Sequence, residues 1–339
     1  MKIKCLGCDK VLVIPDNRLP RDKAIAFPCP TCSKVIRIDL RTSAAGQKPT
    51  LQTQTEKVYP TGEALKAQIL KTVDELPPMP QTVIKAREIM EDPKAGFQEL
   101  SALFEADQAI AAKILKLANS SYYGIKGGVS SIQKASVVLG QKTLRELVTL
   151  GGVSGLIGNQ LVGYGLDAGD LWMHSLAVAF GARFIAEKID ASLASDAFTS
   201  GLLHDCGKLI LDSYIAERWQ QFEDAMADGE TSFLDAERKV LALDHPEIAS
   251  DVCKAWQIPK SISRAIRHHH HPSRSQKSKL AYIVHAADAI ALMSGIGIGI
   301  DGTRYQMEEG TMTILALNDE DMGAVMGHML SAAKKIVEE

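Results

Sequence analysis

Apolar residues recur at three- and four-residue spacing over most of this chain, the spacing of one buried helix face. The exception comes first. Residues 1–40 alternate short β-type runs, Val11-Leu12-Val13-Ile14 and Val35-Ile36-Arg37-Ile38, with turns, a pattern that suits a small β-ribbon. Residues 41–60 are rich in Thr, Gln, Ser, Ala and Pro and poor in apolar side chains, which predicts a flexible linker. The helical pattern then predicts helices over 62–73, 80–91, 97–104 and 108–118, one over 131–139 ended by Gly140, and another starting near 141. Thr61 and Asp107 are candidate N-caps, and Pro93 breaks the second helix. Leu76-Pro77-Pro78-Met79-Pro80 reads as a rigid connector whose Leu76 and Met79 are expected to shelter against the helical body. Glycines crowd the stretch Gly151 to Gly165, where the first bundle is expected to end. A second block predicts helices over 170–188, 196–213, 232–242, 246–256, 259–270, 277–293 and 318–337. The expectation is a mainly α fold: a ribbon over 1–40, a linker over 41–60, and helical lobes over 61–160 and 161–339.

Four cysteines change the picture of the ribbon. Cys5 and Cys8 form one C-x₂-C pair, and Cys29 and Cys32 form another. Two intervening residues let both thiolates of a turn face one ion, so the doubled motif predicts a structural zinc held by all four. In a segment too short to build its own core, that binding energy becomes folding energy. Cys206 and Cys253 stand singly in apolar helical surroundings and read as small core residues.

Charge narrows the partners. The chain carries a net charge of −3, with 46% hydrophobic and 23% charged residues, which is ordinary for a globular protein. The ribbon has eight Lys/Arg and four Asp, a formal +4, and zinc with four thiolates would reduce this to about +2. That is too little to predict nucleic-acid binding. The stretch from Leu280 to Ile300 contains His285, Asp288 and several glycines, and so reads as a buried helix and loop rather than a membrane span. Met1 has no apolar run behind it, so no signal peptide is expected, and metal-type cysteines suit a reducing cytoplasm. No Walker or dinucleotide-binding pattern is present.

The candidate chemistry lies in the second block. Its helices up to residue 293 contain eight of the nine histidines: His174, His204, His245, His268 to His271 and His285, with Asp205 and Asp288 beside two of them. Neutral imidazole and carboxylate together suit zinc, iron or manganese. On the predicted helix 196–213, adjacent His204 and Asp205 point about 100° apart, and Gly201, His204 and Lys208 share one face.

The run Leu202-Leu203-His204-Asp205-Cys206-Gly207-Lys208-Leu209 resembles the His-Asp signature of the HD superfamily of metal-dependent phosphohydrolases. The stretch from about 65 to 293 is similar in particular to the HDOD ("HD-related output domain") branch. The resemblance includes Leu76 to Pro80, Leu117-Ala118-Asn119-Ser120, Ser131-Ile132 through Leu139-Gly140, Trp172-Met173-His174-Ser175, Asp244 to Ile248, Trp256-Gln257-Ile258-Pro259 and Ala265 to His270. The ribbon lies outside it.

The resemblance implies an all-α regulatory output module of bacterial signalling, with signalling proteins as partners and a nucleotide as a candidate ligand. Such domains are generally non-catalytic, with eroded metal ligands. Here a candidate stands at each ligand position of the superfamily: His174, His204, Asp205, His245, His269, His270 and Asp288. The alternative it implies is a phosphohydrolase acting on a nucleotide or cyclic nucleotide, with Asp205 orienting an activated water and Lys208 stabilising charge on a phosphoryl oxygen. The Gly-Tyr-Pro motif of cyclic-di-GMP phosphodiesterases is replaced by His271-Pro272-Ser273-Arg274. His245 is the least secure ligand, because beside Pro246 it could instead cap a helix. His268, His271 and His328 are expected at the surface.

The zinc expectation is testable at once. Cys29→Ser should abolish zinc stoichiometry at the ribbon and unfold residues 1–40 while the helical body keeps its melting transition, as read by elemental analysis and circular dichroism.

Overall fold

In the computed structural model, the described residues are 2–4, 11–13, 24–28, 35–39, 60, 62–74, 81–91, 100, 103–104, 108–154, 157–300 and 305–337. The chain divides into Met1–Pro60 and Thr61–Glu339. In the first unit, β1 (Lys2–Lys4) pairs antiparallel with β2 (Val11–Val13), with Ile3 opposite Leu12. Likewise β3 (Ala24–Pro28) pairs with β4 (Val35–Asp39), with Ala26 opposite Arg37. Cys5, Cys8, Cys29 and Cys32 lie outside the described residues, as do all of the expected 41–60 linker but Pro60, and Thr61, Asp107 and the Leu76 to Pro80 connector.

The second unit is helical. Its first part contains α1 (Gly62–Asp74), α2 (Gln81–Glu91), α3 (Gln108–Ala118) and α4 (Ile132–Val153). Ser131 caps α4 by accepting from Lys134 N. The expected break at Gly140 is present: its φ of 80° and ψ of 164° interrupt the helix in a region that only glycine enters without strain. Past the glycine the helix runs on to Val153, so the first bundle ends later than the first of the glycines suggests.

Two long helices form the middle of the second part. These are α5 (Asp170–Ile189) and, near the C-terminus, α12 (Lys279–Met293). Both are apolar on nearly every side, and almost all of their central residues are buried. Between them in sequence come α6 (Ala194–Leu203), α7 (Lys208–Glu217), α8 (Trp219–Ala225), α9 (Phe233–Leu241), α10 (His245–Ala255) and α11 (Lys260–Arg267). After α12 come the single turn α13 (Thr311–Ile314) and α14 (Asp319–Val337), which packs along α5. One hydrophobic core runs from Leu65 on α1 to Ile336 on α14.

Three expectations need correction. The predicted helix 196–213 is two helices. His204 Nδ1 bonds Gly201 O at 2.7 Å, taking the acceptor that the Asp205 N–H would use in a continuing helix. The chain then turns on three-residue bonds, Cys206 N to Leu203 O and Lys208 N to Asp205 O. A Cβ at Gly207 would lie 2.1 Å from His245 O and 2.8 Å from Ala249 N, so the turn lies flush on α10. The predicted helix 259–270 stops at Arg267, which leaves His269 and His270 in a turn. The short helices α8 and α13 had no counterpart in the pattern. Cys206 and Cys253 are free and buried, as expected.

A buried ion pair joins the two parts. Arg183 on α5 donates to Glu146 on α4 at 2.6 Å and to the Tyr122 hydroxyl, and its guanidinium lies 5.2 Å from the Phe180 ring centre. Burial pushes the Glu146 carboxyl up to about 7, against the pull of Arg183. A carboxyl raised on folding binds more protons folded than unfolded between its two values. Its contribution to stability therefore falls as pH rises from about 4.5 through 7, by about 3 kcal/mol in all. Glu146→Gln should lack this term. Urea unfolding at pH 5 and pH 8 should show the stability difference shifting toward the variant by up to that amount at the higher pH.

Candidate metal centre

Five separate segments bring seven candidate residues to one place. His174 sits one turn into α5, and Asp288 lies mid-way along α12. His204 and Asp205 occupy the turn between α6 and α7, and His269 and His270 occupy the turn after α11. His245 opens α10. The cap of that helix is Asp244, which accepts from Glu247 N at 2.8 Å, so His245 is left for the site. All seven except His270 are at most 2% exposed.

The carboxylates and imidazoles form two halves joined by Asp205. Asp205 Oδ2 lies 3.4 Å from His204 Nε2 and 3.8 Å from His174 Nε2. Its other oxygen, Oδ1, lies 3.3 Å from His245 Nε2 and 3.7 Å from His269 Nε2. Asp288 Oδ1 closes the first half, 3.1 Å from His174 Nε2 and 3.6 Å from His204 Nε2. His270 Nε2 closes the second, 2.9 Å from His245 Nε2. Lys208, the first residue of α7, places Nζ 2.7 Å from Asp205 Oδ2 and 5.4 Å from the centre of the Tyr164 ring.

Hydrogen bonds at the far ring nitrogens fix how the imidazoles present themselves. Nδ1 of His174 donates to Ile296 O at 3.0 Å, that of His204 to Gly201 O, and that of His269 to Ile266 O at 2.7 Å. Carbonyls only accept, so each of these rings carries its proton at Nδ1 and turns Nε2 inward. His245 Nδ1 donates to Glu237, which leaves its Nε2 inward as well. Inward lone pairs therefore face each other at His174 and His204, 3.3 Å apart, a contact that a proton or cation between them would relieve, whereas the His270 ring can donate to His245 at 2.9 Å.

The protonation balance shows the same demand. Burial disfavours charge on His204, yet Asp205 and Asp288 outweigh it and raise the ring to about 10. Burial likewise opposes charge on His245, and Glu237 and Asp205 raise it to about 9. Burial and the His204 charge lower His269 to about 3. Burial acts to raise Asp205 and Asp288, but the neighbouring histidines, with Lys208 at Asp205, hold both well below the usual carboxylate range. One positive charge is thus called for in each half.

The donor set fits divalent metal ions. Asp205 Oδ1, Asp288 Oδ2, His269 Nε2 and His270 Nδ1 are buried atoms without a hydrogen-bond partner, a condition that natural interiors seldom leave unanswered. His174, His204 and Asp205 have ligand atoms within 4.8 Å of one another, as do His204, His269 and Asp288, and His245, His269 and His270. Mixed imidazole and carboxylate suits zinc, iron or manganese. A cavity of about 480 Å³ opens onto the cluster, with walls that include Phe233, Leu234, Leu292 and Met307.

Several contributing residues had gone unread in the sequence. Glu237 on α9 is fully buried and accepts from both His245 and Tyr164. Tyr164 comes from the glycine-dense stretch that had read as a boundary. His285 is a prop rather than a ligand: its Nδ1 bonds His269 O at 2.6 Å, and its Nε2 accepts from Glu308 N at 2.7 Å. Tyr305 and Glu308 line the cavity. His271 also lines it and is partly buried, as is His268, rather than lying at the surface. His328 stacks on Phe184 with ring centres 4.7 Å apart, so it too is partly sheltered.

The fold recurs in known proteins. The HDOD domain family model matches residues 76–272, more than half of the chain. A crystal structure from Shewanella amazonensis SB2B that bears the name phosphohydrolase is 26% identical, with a TM-score of 0.61, covering 80% of this chain and 98% of that one. An HDOD domain protein of unknown function from Geobacter sulfurreducens is 26% identical, with a TM-score of 0.61, covering 81% of this chain and 92% of that one. A Marinobacter aquaeolei VT8 protein named for signal transduction shares the fold at a TM-score of 0.64 and 21% identity, covering 81% of this chain and 64% of that one. In sequence, an uncharacterised protein of Treponema pallidum (strain Nichols) is 24% identical over 249 residues, which are 72% of this chain and 46% of that protein. This chain therefore spans less than half the length of that relative. The ordered His-Asp segments and the match across residues 76–272 make the chain a member of the HDOD domain family.

Proposed function

We propose that this protein is a regulatory output module of bacterial signal transduction whose helical body binds a signalling partner or small ligand, with divalent metal in the His/Asp pocket. The observation that carries this reading is the convergence of seven donors, four unpartnered buried atoms among them, beside a cavity of about 480 Å³. His174, His204, Asp205 and Asp288 would hold an ion in one half of the pocket, and His245, His269 and His270 with Asp205 in the other. The name carried by the Marinobacter protein supports signalling. In the ribbon, Cys5, Cys8, Cys29 and Cys32 would hold a structural zinc, since each pair falls in the connection between two paired strands. No helix among the described residues is long and apolar enough to cross a membrane, in keeping with a cytoplasmic place for the protein.

A second reading, metal-dependent phosphoester hydrolysis on a nucleotide, is favoured by the complete ligand set and by Lys208. Divalent metal, when bound, supplies Lewis acidity and a water that ionises near neutral pH. The chain's own residues would do the rest. Lys208, only 6% exposed and held by Asp205, offers an ammonium to a phosphoryl oxygen. Asp205 orients the attacking water. Phe233, Leu234 and Met307 keep bulk solvent from the reacting centre.

His204→Ala combined with Asp205→Ala separates the two readings. The wild-type chain should contain divalent metal beyond the ribbon zinc, and the double variant should lose it. Loss of metal with no nucleotide hydrolysis to lose supports the regulatory reading. A wild-type hydrolysis rate that disappears in the variant establishes the enzyme.

A further inference from the structure

We propose that Glu237, seconded by Tyr164, is the positioning residue that makes the His245 half of the centre able to hold its own ion, independently of the other half. The proposal rests on the metal reading of the pocket.

The four rings with a donating Nδ1 are not held alike. His174, His204 and His269 donate to backbone carbonyls, which no side-chain substitution removes. His245 donates to a side chain, with Glu237 Oε2 at 2.9 Å and Oε1 at 3.0 Å. The same carboxylate accepts from the His245 backbone N–H at 2.8 Å. It thus fixes both the peptide and the ring of the residue that opens α10, and satisfies an otherwise unpaired donor at that helix start. Tyr164 OH donates to Oε1 at 2.6 Å and sets the carboxylate plane. Glu237 is fully buried and takes three donors on its two oxygens, two of them from His245, so its role is to hold that residue.

A negative charge on the far nitrogen does two things to His245. It keeps the proton on Nδ1, so Nε2 stays a lone pair 3.3 Å from Asp205 Oδ1 and 2.9 Å from His270 Nε2. It also makes that lone pair a stronger donor than one whose partner is a neutral carbonyl. His270 cannot make up for its loss, because its own Nδ1 has no hydrogen-bond partner to fix a tautomer. Removing the Glu237 charge should therefore weaken one half of the centre and spare the half built on His174, His204 and Asp288.

Manganese(II) binding to metal-stripped, full-length protein tests this. Free manganese is counted by electron paramagnetic resonance, and the spin-coupled signal of a manganese pair is followed in the same spectra. The wild-type chain should take up two ions and show the coupled signal. Glu237→Gln should bind the first ion as the wild type does, bind the second about 10–100-fold more weakly, and lose the coupled signal. Tyr164→Phe leaves Glu237 in place and should weaken only the second ion, by a smaller factor, which keeps the test open should Glu237→Gln fold poorly. Glu237→Gln binding both ions with wild-type affinity overturns the proposal, and so does an equal loss of both in protein with an unchanged melting transition. Absence of manganese uptake by the wild type is a different failure, that of the metal reading itself.

Discussion

Asp205 and Asp288 are buried together, and a carboxylate removed from water must be met by positive charge or by donors. The effective penalty is several kcal/mol for each unmatched ion. Much of the second helical block follows from that requirement. Four imidazoles point Nε2 at the two carboxylates, three of them held by main-chain carbonyls and one by a further carboxylate. Lys208 is drawn to within 2.7 Å of Asp205. The raised values of His204 and His245 show where cationic charge settles, one position on each side of Asp205. A pocket that only filled space would gain more from apolar side chains of the same volume, so the polar cluster is a poor source of stability, and its groups are placed so that they could hold a metal ion.

The helices and the candidate site residues were largely legible in the sequence, for different reasons. Helices α1, α9 and α14 followed from spacing alone, because each has a sustained apolar period and recognisable ends. The convergence of His174 with Asp288 could not be read from spacing. The expectation rested on the order and type of these residues and on the resemblance of the segments around them to a known family, and the two side chains lie 3.1 Å apart. The break at 204–207 was hidden because Leu202, Leu203, Cys206, Leu209 and Ile210 keep apolar positions at helical spacing through it. A competing bond from the His204 ring and close backbone packing on α10 stop the helix, and neither leaves a mark in a hydrophobicity pattern. The end of α11 at Arg267 was hidden in a similar way by the four consecutive histidines.

Glu237 and Tyr164 were missed for a complementary reason. An acidic residue on a short amphipathic helix ordinarily faces solvent, and a tyrosine amid glycines ordinarily marks a loop. Both are pulled inward by a partner distant in sequence, Tyr164 by a hydroxyl-to-carboxylate bond spanning 73 positions. Local pattern carries information about which face of an element is apolar. It carries none about a polar residue buried to serve another polar residue.

The contact of the 204–207 turn with α10 has one more consequence. At Gly207 there is no room for even a methyl group beside His245 O and Ala249 N. That single absent side chain lets two ligand-bearing segments, the Asp205 turn and the start of α10, approach along bare backbone. The inheritance of the site is therefore more fragile than its ligand list suggests. In a descendant sequence every histidine and aspartate could be intact, yet the two halves would be pushed apart by a change at a position that donates nothing. Ligand inventories alone would then overstate which members of such a lineage still possess a working pocket.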